Sequence, residues 1–137
     1  MNATVRDFMN PKIVYLREGT RPEVARKFIV RFGITAVPII GPDERPLGVV
    51  SLRDLVDPAV TETRMSEPAR TVGVDQPIGS AARALAEADI HHLVVVDAAG
   101  RAVGMLSALD VIRGLVGLEP KHPPAIGVFE SRSSKAG

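Results

Sequence analysis

Two serines each stand three residues ahead of an aspartate, Ser51 with Asp54 in SLRD and Ser107 with Asp110 in SALD. Where such a segment opens a helix, the serine oxygen accepts the N–H three residues on and the carboxylate reaches back to the serine N–H. On the residues alone, this cap is the favoured reading. Hydrolytic chemistry would ask for more, because a nucleophile needs a base and a group that orients it. Neither serine has a histidine close in sequence. His91 and His92 are adjacent, so on a strand they face opposite ways and cannot both line one pocket directly. The third histidine, His122, lies in a polar C-terminal stretch, which leaves too few ligands for a metal site. No cysteine is present, which removes disulfides, thiolate catalysis and the common zinc sites.

The elements that position these pairs repeat. GVVSLRDL at residues 48–55 returns as GMLSALDV at 104–111, and the same offset of 56 relates Met9 to Met65, Ala25 to Ala81, Ile34 to Ile90 and Arg45 to Arg101. Only Pro11 and Pro68, 57 apart, slip from that register. In each copy a helix is predicted first, over residues 23–32 with Val24, Phe28, Ile29 and Phe32 on one face, and over 80–88 with Ala81, Ala84, Leu85 and Ala88. Short β-branched runs at 37–40 and 93–96, the turns GPDERP and DAAGR, and second runs at 47–50 and 103–106 predict strand, turn and strand. A second helix is expected after Ser51 and after Ser107, and extended pieces at 13–16 and 71–74 lead into each copy. The order β-α-β-β-α leaves an apolar face that a second copy can cover. The fold class is α/β (α+β), with repeats at 4–58 and 60–117 and a flexible tail over 118–137. Within that tail, 125–129 (AIGVF) could dock as a strand.

Composition narrows the partners. Seventeen basic and sixteen acidic residues leave a net charge of +1, far from the concentrated positive charge that a phosphate backbone requires, so nucleic acid is not expected. A 45% apolar content with four Phe, one Tyr and no Trp predicts an aliphatic core. No run of about 18 apolar residues and no secretory leader pattern is visible, and a cytoplasmic protein away from membranes is the expectation.

This pattern resembles the cystathionine-β-synthase (CBS) repeat, whose tandem pairs are called Bateman modules, over about residues 4–116. The first copy carries the family's entry as Met9, Asn10 and Pro11, its strand entry as Gly33, Ile34 and Pro38, and its close as Gly48, Ser51 and Asp54. The second keeps Met65, Ile90, Gly104, Ser107 and Asp110, with Asp89 where the family often has Gly and Val94 where it often has Pro. The resemblance implies two adenosine sites in the cleft between the repeats, with Asp54 and Asp110 on the ribose hydroxyls. It implies Ser51, Arg53, Ser107, His91 and His92 toward phosphate. The adenine is implied to lie among Val14, Leu16, Thr35, Val37 and Pro38, or Val72 and Leu93. By analogy with nucleotide-binding relatives, His91 and His92 would serve a phosphate on the ligand of Asp54, while Thr35 and Ala36 bring no charge to the ligand of Asp110. The implied function is regulatory and non-enzymatic. No cofactor is required; AMP, ADP, ATP or S-adenosylmethionine serves as regulatory ligand, and occupancy is passed to an unknown protein target. The alternative is an interaction module with non-functional pockets. A homodimer is implied through Leu109, Val111, Ile112, Leu115, Val116 and Leu118 of the last helix, more apolar positions than one face needs.

Overall fold

The computed structural model describes residues 3–56, 68–122 and 134–135. They fall into two compact units, Val14–Ala69 with Ser134–Gly137, and Met1–Ile13 with Arg70–Ser133.

In the first unit, strand β1 (Val14–Arg17) leads into α2 (Pro22–Phe32), β2 (Ala36–Ile40), β3 (Pro46–Ser51) and a short 3-10 helix, Leu52–Leu55. Pro22 opens α2 at a position where its missing N–H costs nothing, and Ala25, Phe28 and Ile29 bury one stripe of it. All five residues of β2 are buried, as expected of a strand flanked on both sides. The sheet order is β3-β2-β1-β7, where β7 is Ser134–Lys135 running parallel to β1. Two residues of the stretch expected to be a flexible tail are therefore paired, whereas the suggested strand at 125–129 lies outside the described residues.

The second unit repeats the plan with β4 (Thr71–Gly73), α3 (Ile78–Ala88), β5 (His92–Val96), β6 (Ala102–Ser107) and α4 (Ala108–Val116), in the sheet order β4-β5-β6. It also contains α1 (Val5–Phe8), too short to be expected from the sequence pattern. The backbone of Val5 and Arg6 donates to the Gln76 and Val74 carbonyls, Asn10 and Met105 exchange hydrogen bonds, and Val5, Phe8 and Met9 join the core of Val72, Leu85, Leu93 and Leu106. Gly104 makes this docking possible: a Cβ there would stand 2.8 Å from the Asn10 carbonyl oxygen and 2.8 Å from Met9 Sδ.

The offset of 56 holds at the level of backbone angles. Gly33 closes α2 at φ 62° and Asp89 closes α3 at φ 55°, both left-handed. Glu44 and Gly100 share positive φ in the turns between the paired strands. Pro38 and Val94 explain one difference. The Val94 N–H donates to the Arg70 carbonyl, and β4 pairs with β5 from Thr71–Val94 onward. Proline has no such donor, and β1 meets β2 only from Leu16–Ile39.

Candidate functional site

Both Ser–Asp pairs form the expected caps. Ser107 stands outside α4 with extended backbone; its N–H donates to Asp110 Oδ2 at 2.9 Å, and the Asp110 N–H donates to Ser107 Oγ at 3.1 Å. In the first unit the Ser51 N–H and hydroxyl both donate to Asp54 Oδ2, at 2.8 and 3.0 Å, and the Asp54 N–H returns to Ser51 Oγ at 3.4 Å. The expectation of a helix after each serine is met fully only in the second unit, since Leu52–Leu55 is a single 3-10 turn and α4 runs nine residues.

A carbonyl completes each cap. The Leu52 N–H donates to the Thr35 carbonyl at 2.9 Å and the Ala108 N–H to that of His91 at 2.8 Å, which ties the residue before each central strand to the start of the following helix. Strand register then sets Ala36 opposite Ser51, and His92 opposite Ser107. The second unit thus gathers His91, His92, Ser107 and Asp110, where the first gathers Thr35, Ala36, Ser51 and Asp54.

The two carboxylates differ in setting. Asp110 is 5% exposed, the one buried charged side chain among the described residues, and Asp54 is half-buried. A carboxylate removed from water must be hydrogen-bonded to repay its lost hydration. Asp110 Oδ2 has the cap, and Oδ1 takes no hydrogen bond among the described residues. His91 is exposed and His92 half-buried. Burial pushes the His92 imidazole below its ordinary value of 6.5, His91 adds to that, and the negative charge of Asp110 opposes it.

The remaining expected site residues divide. Leu16 and Val37 belong to the core of the first unit, and Val72 and Leu93 to that of the second. Pro38 is buried, Val14 half-buried, and Thr35 and Arg53 are exposed. Arg53 has no counterpart in the second unit, where Leu109 takes its place. The described residues hold no group of three or more His, Cys, Asp or Glu placed to bind a metal ion. No described helix is long and apolar enough to cross a membrane.

Known proteins share this architecture. The family model described as CBS domain matches residues 5–61 and again 59–117. Among curated proteins, a homoserine O-acetyltransferase of Methanosphaerula palustris is 27% identical over 85% of the chain, and the chain spans 24% of that relative. Among solved structures, CBSX2 in complex with AMP is 28% identical with a TM-score of 0.73, over 83% of this chain and 96% of that one. The same protein, a CBS-pair protein from Arabidopsis thaliana, is similar in a second structure at a TM-score of 0.72. The cytosolic domain of the Mg2+ channel MgtE in complex with ATP is 33% identical with a TM-score of 0.68, over 78% of this chain and 46% of that one.

Proposed function

This chain belongs to the CBS domain family, and from that premise we propose that it is a non-enzymatic regulatory module whose ligand is an adenosine nucleotide or S-adenosylmethionine. The observation that carries the reading is the Asp110 carboxylate. It is buried at the start of α4, held in place by its cap, and keeps one oxygen uncommitted among the described residues. A ribose cis-diol offers two hydroxyl donors to such a group, and charge-assisted hydrogen bonds of that kind are the strong ones. Ser107 stands beside it for a phosphate, and at Asp54 the same part falls to Ser51 and Arg53. Relatives of similar fold bound to AMP and to ATP support this ligand class.

A second reading, an interaction module with pockets that bind nothing, is favoured by the caps themselves, because they give both aspartates a structural task without a ligand. Calorimetric titration with AMP separates the two. The regulatory reading expects saturable binding, and heats no larger than dilution with AMP, ADP, ATP and S-adenosylmethionine would leave the second reading standing. Regulation further requires that the ligand favour one state of the module over another, which a protein target then reads. A homodimer through the exposed face of α4 is part of the proposal, as is a cytoplasmic location.

A further inference from the structure

We infer that His92 is a proton-linked specificity residue of the Asp110 site, so that ligand binding in the second repeat responds to pH where the first repeat, with Ala36 in the same place, does not. The inference rests on the proposed ligand reading of that site and adds its regulation.

The geometry is local to one unit. His92 opens β5 opposite Ser107, the residue whose oxygen and N–H hold the Asp110 cap. Its neighbour His91 is fastened to α4 through the Ala108 N–H. A strand pairing thus sets the backbone that carries the imidazole, and a helix cap holds the carboxylate. Among the described residues, the charges that shift His92 are His91 from the strand entry and Asp110 from α4. The charges on the other described elements around β5 are placed as follows. β6 presents the uncharged Ser107 here, and Arg101, just ahead of it, pairs with Asp97 at the far turn. On α3, Arg83 and Glu87 pair with each other in solvent, and Asp89 caps the helix end, exposed. Arg70, ahead of β4, meets β5 through its carbonyl, and Arg113 lies one turn further along α4. None of these charges contributes to the His92 shift.

The linkage has a sign. A bound ribose hydroxyl pair would take up the free oxygen of Asp110 and displace water from the half-buried imidazole. Both effects weaken the support that the carboxylate gives an imidazolium, so a ligand neutral at this end favours neutral His92. By linkage, its affinity must fall as the pH is lowered through the His92 titration, by at most about tenfold per pH unit for one proton.

Two arms test this. In the ligand-free protein, NMR titration of the His92 Cε1 proton in wild type and Asp110→Asn reads the pair directly. The variant should titrate at lower pH because the opposing negative charge is gone, and an unchanged midpoint overturns the inference. In the second arm, adenosine is titrated calorimetrically into Asp54→Ala, which leaves the Asp110 site to be read alone. The dissociation constant should rise severalfold between pH 7.5 and pH 5.5, and adding His92→Gln should flatten that rise. An undiminished slope in the His92→Gln protein overturns the inference. Absence of adenosine binding at every pH counts against the proposed function, and the NMR arm then decides the His92–Asp110 pair alone.

Discussion

Ser107 satisfies the Asp110 N–H while the Asp110 carboxylate satisfies that of Ser107, so truncating the hydroxyl leaves a donor at the start of α4 without its partner. Ser107→Ala should cost about 1 kcal/mol in urea unfolding. Ser51→Ala should cost less, because its cap holds a four-residue 3-10 turn and not a nine-residue helix. His92 gives the folded state a pH dependence of its own. Burial holds its folded titration below the ordinary 6.5, so in that window the unfolded chain binds more protons and stability rises with pH. The contribution is complete above about 6.5 and is lost as the pH falls from there through the folded value. Thermal melts at pH 7.5, 6.0 and 5.0 should therefore show a decline in Tm that His92→Gln reduces; an equal decline in both proteins would remove His92 as its source.

The left-handed helix ends carry the clearest element-scale prediction. Asp89 adopts φ 55° where Gly33 adopts φ 62° at the same place in the other repeat. A residue with a Cβ pays for that conformation, so Asp89→Gly should raise stability by about 0.5–1 kcal/mol, and Gly33→Ala should lower it by a similar amount. Gly104→Ala should be worse, about 1–3 kcal/mol, because the added methyl meets the Asn10 carbonyl oxygen at 2.8 Å. Much of this architecture was legible in the sequence. The apolar patterns, repeated with their turns at an offset of 56, place six strands and two helices within a residue or two. The Ser-x-x-Asp caps were legible for the same reason. Helix α1 was not, since four residues are too few to show a period, although Thr4 and Asp7 repeat the capping spacing and the Thr4 N–H and hydroxyl both donate to Asp7 Oδ2. Nor was its docking on the second repeat, which depends on contacts far along the chain. The unequal helices after Ser51 and Ser107 have a local signal in the sequence: Pro58 follows four residues after Asp54, and no proline follows Asp110 until Pro120. The setting of the carboxylates was beyond the sequence, because identical motifs give a buried Asp110 and a half-buried Asp54 through different surroundings.

At the scale of the whole molecule, α4 presents Leu109, Ile112, Leu115 and Val116 with at least half of each side chain's residue surface exposed, while Val111 of the same helix is 3% exposed and faces the core. Val111, expected in the interface from the sequence, is thus withdrawn from it. Leu118 lies beyond the helix end, and it too is exposed. Such a patch is costly to leave in water, and a second copy of the chain can cover it. Sedimentation velocity should show a dimer at micromolar concentration, and Leu109→Glu with Ile112→Glu should convert it to a monomer that remains folded by circular dichroism. A wild-type monomer under those conditions would exclude the interface. The proposal that Asp54 and Asp110 hold the ribose of an adenosyl ligand is decided by calorimetric titration of AMP into wild type, Asp54→Ala, Asp110→Ala and the double variant. Wild type should show saturable binding, each single variant should lose one site, and the double variant should lose all binding. Binding of AMP to a folded double variant with wild-type affinity and stoichiometry would contradict it.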